Sequence, residues 1–169
     1  MHVYDRAKIA GDISVRLAAA GERCTLLDGR DIALDADMLV IADAEGPVGL
    51  GGVMGGLRTA ASAQTADVFL EVAWFEPASI AGRGRRLGLT TDASQRFERG
   101  VDPAHQVRAI ERATTLTLEI AGGEPGPVVV TEEAAHLPQP RSVKFRRAQV
   151  QRLLGVLPDD AQLRGMLES

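Results

Sequence analysis

The densest polar stretch of the sequence is Gly88–Pro103, GLTTDASQRFERGVDP, where Thr90, Thr91, Asp92, Ser94, Arg96, Glu98, Arg99 and Asp102 crowd hydroxyls, carboxylates and guanidinium groups together. No helix or strand period runs across the whole of it, so the stretch is either a site or its frame, or a surface loop leading into a helix. Upstream, Asp67–Phe75 (DVFLEVAWF) sets Glu71 in the middle of an apolar run. A carboxylate there must face water by alternation or find a partner, because a buried unpaired charge is penalised by several kcal/mol. Alternation places Glu71 with Phe69 and Ala73, which suits the wall of a pocket, while an exposed strand glutamate is the other reading.

Other candidates carry less. Gly46–Gly56, GPVGLGGVMGG, fits neither GxGxxG nor the Gly-Lys-Ser/Thr ending of a P-loop, and it lacks a βαβ setting. Its glycines read as bulges or as places where a backbone or ligand comes close. Arg83, Arg85 and Arg86 form a dense positive cluster, either a solvated helix end or a set of phosphate contacts without base readout. The lone Cys24 reads as a small buried hydrophobe, and His105 and His136 stand apart from any metal-ligand spacing, so no metal site is expected.

These groups sit in a chain of 169 residues with 45% hydrophobic content and a net charge of -4. That is enough for one well-buried core, and the acidity argues against binding nucleic acid by bulk charge. One cysteine allows no internal disulfide, and no apolar run is long enough to span a membrane, so a cytoplasmic protein without membrane partners is expected.

In chain order, strands are expected at Asp12–Ala18, with Ile13, Val15 and Leu17 inward, and at Glu22–Leu27. Asp28-Gly29 signals a hairpin returning through Arg30–Leu34, and Met38–Ala42 and Val48–Met54 flank a turn at Glu45-Gly46. Asp67–Phe75 reads as the strongest strand. Pro77–Leu87 reads as a short basic helix, and Asp102-Pro103 opens a long one ending at Gly122-Gly123, with Val107, Ile110, Ala113, Thr114, Leu116, Leu118 and Ile120 on its apolar side. Beyond Pro125 come strands at Val128–Thr131 and Ser142–Phe145 and helices at Arg147–Leu154 and Asp159–Glu168.

The segments MHVYD, GERCTLLDGRDIALDADMLVIADAEGP, GGVMGG, FLEVAWFEPASIAGRGRRLGLTTDASQRFERGVDP, ERATTLTLEIAGGEPGPV and RRAQVQRLLG resemble the central editing domain of the bacterial phenylalanyl-tRNA synthetase β-subunit family. Ser142–Ser169 is similar to the start of the family's next, winged-helix-like domain. The resemblance implies an α+β fold with layered β/β/α topology. It implies domains at 1–132 (editing) and 141–169 (truncated), joined by a linker at 133–140. The chain is accordingly expected to be a fragment.

The implied activity is hydrolysis of tyrosine mischarged onto the phenylalanine tRNA, needed because a hydrophobic synthetic pocket rejects an added hydroxyl only about a hundredfold. By the same resemblance the catalytic set is His2, Glu71 and Thr91, with His2 near the ester and Glu71 on the phenol. Gly55, Glu71, Thr91 and Ala93 bind the substrate, Gly55 by leaving it space. In a tRNA-binding chain the phosphate reading of the Arg83, Arg85 and Arg86 cluster becomes a weak tRNA contact. Implied partners are tRNA, the α subunit and the rest of the β subunit. The ATP and Mg of the full synthetase belong to an activation site on the α subunit, so no cofactor is expected here and the chain alone should not charge tRNA. Thr90, Gln95 and the LRTAAS of Leu57–Ser62 depart from the family pattern. A non-catalytic RNA-contacting or assembly fragment and a free-standing trans-editing deacylase are the alternatives.

Overall fold

Short alternating segments punctuated by glycine turns build most of the first 71 residues. The computed structural model describes residues 1–168 and divides into two compact units, Met1–Ala134 and the chain from Ala135 onward. Strands β1 (His2–Asp5), β2 (Ser14–Leu17), β3 (Arg23–Thr25), β4 (Asp31–Ala33), β5 (Leu39–Asp43), β6 (Gly46–Leu50), β7 (Met54–Gly55) and β8 (Val68–Glu71) all lie in the first unit. They pair antiparallel in three sheets: a four-stranded one in the order β2-β5-β6-β7, a β3-β4 ribbon and a β1-β8 ribbon. The protein is thus a mixed α/β chain with several antiparallel sheets and a few helices.

The centre of the core comes from β5 and β6. Val40, Ala42 and Val48 have no exposure, and Leu26, Met38, Ile80 and Leu89 pack around them with Cys24. Gly29 takes positive φ at the β3-β4 turn, as the Asp28-Gly29 signal requires. Gly56 is needed for another reason: its amide donates to the Val48 carbonyl at 2.7 Å, and a Cβ there would stand 2.7 Å from that same oxygen. The glycine-rich run is therefore two strands and a turn in close backbone contact.

Helices α1 (Pro77–Ile80) and α2 (Arg83–Arg86) replace the single basic helix expected at Pro77–Leu87, because Gly82 turns left-handed between them. The polar stretch resolves into α3 (Asp92–Phe97), and the long helix α4 (Gln106–Ala121) follows a 3-10 turn capped by Asp102. Among the residues of α4 only Ala113 is fully buried, with Ile110, Thr114, Thr117 and Leu118 half-buried, so Val107, Leu116 and Ile120 belong to an exposed face instead of the core.

Other expectations need correction. Ile13 packs against the core as expected, but Val15 and Leu17 are each 57% exposed and Arg16 pairs with Glu22, so the inward face does not continue along β2. The strand at Asp67–Phe75 shrinks to Val68–Glu71, the only part opposite β1. Val128–Thr131 and Ser142–Phe145 form no strand; Val129 and Val143 stand open to solvent, and β propensity without a pairing partner does not make a ladder. In the second unit, α5 (Arg147–Leu154) and α6 (Asp160–Glu168) are joined by an Arg147–Asp160 ion pair, and Asp159 caps α6 by accepting from the Gln162 amide at 2.8 Å.

Candidate functional site

The β1-β8 ribbon sets His2 opposite Glu71 and Tyr4 opposite Phe69, and the strand period puts all four on one face. On that face the Tyr4 hydroxyl donates to Glu71 Oε2 at 2.5 Å. The His2 ring meets the Tyr4 ring edge-on at 4.4 Å between centroids, and Phe69 lies 5.9 Å from Tyr4. Tyr4 is 1% exposed, so its position is fixed by the core, and it is the only tyrosine of the chain. Glu71 is half-buried, and its second oxygen meets no protein donor among the described residues.

Electrostatics follow from that packing. Burial pushes the Glu71 carboxyl above its usual range, and the Tyr4 hydrogen bond only partly opposes it. Burial and the Glu71 charge together push the Tyr4 phenol up. His2 is lowered, by burial first and the chain's amino terminus second, and its Nε2 is buried without a hydrogen-bond partner. A neutral imidazole with an open nitrogen can accept a proton.

Gly55 lies under His2: a Cβ built there would collide with the imidazole, at 2.5 Å from Nε2. The space that Gly55 was expected to leave for a substrate is thus filled by the chain's own histidine. Thr91 caps α3 in a reciprocal capping box with Ser94, and its hydroxyl donates to the Val53 carbonyl at 2.8 Å. Its proton is therefore committed to the backbone two residues before Gly55. Ala93 sits half-buried in the first turn of α3.

His2, Glu71 and Gly55 come together directly, and Thr91 is tied to the turn that leads into β7. The arginines do not join this group. Arg83 pairs with Asp37 at 3.3 Å, Arg86 with Asp35 and Asp37, and Arg85 with Glu98 at 3.6 Å. Sequence reasoning missed Tyr4; the alternation in HVYD could have placed it on the face of His2, but no sequence signal pairs it with a glutamate 67 residues away.

Two surface recesses lie elsewhere, one of about 440 Å³ at Asp92, Gln95, Arg96 and Arg99, the other of about 300 Å³ between Val3, Leu70 and the Leu116–Ile120 side of α4. Neither is lined by His2, Gly55 or Glu71, since the side chains of β1 already occupy that space. Cys24 is 4% exposed and burial raises its thiol to about 11, which leaves it unreactive as a nucleophile at neutral pH. Among the described residues no group of three or more His, Cys, Asp or Glu could hold a metal ion. No described helix is long and apolar enough to cross a membrane.

Comparison with known proteins agrees with the motif-level resemblance. A phenylalanine-tRNA ligase beta subunit of Xanthomonas campestris pv. campestris (strain 8004) is 54% identical over 167 residues, 99% of this chain and 21% of that protein. Those of Hahella chejuensis and Xylella fastidiosa (strain Temecula1 / ATCC 700964) are 52% and 49% identical over 99% and 100% of the chain, again 21% of theirs. The chain thus spans about a fifth of the length of the curated relatives it matches. The family model described as the B3/4 domain matches residues 1–122, and this chain belongs to that family.

Proposed function

We propose that the first unit is an aminoacyl-tRNA editing domain that hydrolyses the ester of tyrosine mischarged onto the phenylalanine tRNA, as part of a phenylalanine-tRNA ligase beta subunit. The observation that carries this reading is the Tyr4–Glu71 hydrogen bond, since the carboxylate assigned to the substrate's phenol already holds a phenol of the chain itself. In this reading the finer fold is the layered β/β/α domain over 1–132, a linker at 133–140 and a winged-helix-like start over 141–169.

The reaction asks little of the protein, because an aminoacyl ester is already activated. Water adds to the ester carbonyl, the C–O bond to the terminal ribose breaks, and free tyrosine leaves a ribose hydroxyl on the tRNA. Neutral His2, with its open Nε2, takes the proton of the attacking water, and the imidazole swings off Gly55 to admit the substrate. Ala93 and the methyl of Thr91 line the side-chain pocket. The proposed partners are tRNA, the α subunit and the rest of the β subunit. Arg83, Arg85 and Arg86 would reach phosphate only by exchanging their carboxylate partners.

The deciding experiment is a deacylation assay of this chain with tyrosyl- and phenylalanyl-esters of the phenylalanine tRNA. Faster hydrolysis of the tyrosyl ester is expected; equal rates, or none, would remove the assignment.

A further inference from the structure

Glu71 has two acceptor oxygens, and the structure treats them differently. Oε2 receives the Tyr4 hydroxyl at 2.5 Å, while Oε1 has no protein donor among the described residues. Tyr4 cannot easily give way, because its ring is 1% exposed and is flanked by His2 at 4.4 Å and Phe69 at 5.9 Å. Its strand is also pinned, by the Asp5 amide on the Thr59 carbonyl at 2.9 Å and the Arg6 amide on the Asp67 carbonyl at 3.0 Å. A carboxylate can accept from several donors at once, so one phenol on Oε2 does not prevent another on Oε1.

We infer that Tyr4 is a positioning residue that sets substrate specificity: it locks one oxygen of Glu71 and aims the other at the phenol of the incoming tyrosyl ester. This rests on the editing reading given above. Tyr4 donates to the ionised form of Glu71 and so keeps an acceptor available in a place where burial favours the neutral acid. The groups that face Glu71 are Tyr4 and His2, across the ribbon on β1, and the amino group of Met1; no guanidinium or lysine is paired with it. Discrimination therefore does not need an unpaired charge in the empty site. A phenylalanyl ester leaves Glu71 with its Tyr4 bond intact, and a tyrosyl ester adds a second one.

The test is Tyr4→Phe in the full chain, which keeps the ring and removes only the hydroxyl. Hydrolysis of the tyrosyl ester is expected to fall about three- to tenfold in kcat/KM, the phenylalanyl ester is expected to change little, and the acid limb of the tyrosyl pH profile is expected to move to higher pH. An unchanged ratio with an unchanged limb would show that Tyr4 only fills the core, and a faster tyrosyl reaction would show that it competes with substrate. Either result overturns the inference. A second measurement needs no tRNA: the Glu71 carboxyl, followed by carbon NMR, should titrate at higher pH in Tyr4→Phe than in the parent chain. An identical titration overturns the inference even where the editing assay succeeds, and a shifted one upholds the Tyr4 hold on Glu71 even where the parent chain shows no preference between the two esters.

Discussion

Asp43 and Glu71 are both carboxylates drawn out of bulk water, and the molecule supplies them very differently. Asp43 ends β5 with its side chain fully covered, and it accepts from Arg58 at 2.5 Å, from the Ala10 amide at 2.9 Å and from the Glu45 amide at 3.0 Å. Burial pushes its carboxyl up, but the guanidinium and the two amides outweigh burial and hold it at about 2. Glu71 has one phenol, no guanidinium or lysine and one oxygen without a protein donor, and burial outweighs both the phenol and the chain's amino terminus. A carboxylate with its acceptors filled is a fastener, whereas one left with spare capacity in an aromatic setting can bind something else.

The contrast predicts which losses appear in stability and which in specificity. Asp43→Ala should be the costliest change, about 3 kcal/mol by urea unfolding, at the low end for a broken buried pair because Arg58 can turn toward water. The ratio of tyrosyl to phenylalanyl hydrolysis should survive in whatever fraction stays folded; a collapsed ratio would mean that the two carboxylates are coupled. Glu71→Ala should do the reverse. Tyrosyl hydrolysis should drop by about 1.5–3 kcal/mol, ten- to a hundredfold in kcat/KM, and the ratio should collapse while unfolding changes less than in Asp43→Ala. A preserved ratio would reduce Glu71 to a structural strand residue.

Acid should separate the pair next. The folded value for Asp43 lies near 2 against an ordinary 3.8, so its contribution, about 2 kcal/mol, is present above pH 4 and is lost as pH falls through 2. Glu71 has the opposite sign: raised by burial, it favours folding below its ordinary value of 4.5 and loses that contribution as pH rises through the folded value. Stability curves should therefore flatten between pH 4 and 2 in Asp43→Asn, and should tilt in the variant's favour with rising pH in Glu71→Gln. Parallel curves for all three proteins would contradict both assignments. The smallest effect belongs to the arginine cluster: Arg86→Ala breaks exposed, solvent-screened pairs to Asp35 and Asp37 and should leave the unfolding midpoint nearly unchanged. A larger loss of tRNA binding than of stability would show that this arginine does reach phosphate.

Much of this was legible in the sequence, and the failures share a cause. The turns at Asp28-Gly29 and Glu45-Gly46, the start of α4 at Asp102-Pro103 and the bounds of α5 follow from local backbone preferences, which need no knowledge of the rest of the chain. Glu71 on the face of Phe69 follows from the strand period. The face of β2, the short span of β8 and the missing strands at Val128–Thr131 and Ser142–Phe145 depend on which distant segment pairs with them, and a period of two carries no partner. The same limit hid the Tyr4–Glu71 pair and the His2 ring over Gly55, since both are settled by β1 folding back onto residues far along the chain.

That last pairing bears on when the site comes into being. Closing a loop of 67 residues between Tyr4 and Glu71 costs about 4 kcal/mol in chain entropy, more than the net gain from a single hydrogen bond. Four-residue strands cannot meet that alone, so the ribbon depends on the β5-β6 core to hold the intervening chain compact. A chain still assembling its core therefore holds no Tyr4–Glu71 pair, and its glutamate stands in water like any other.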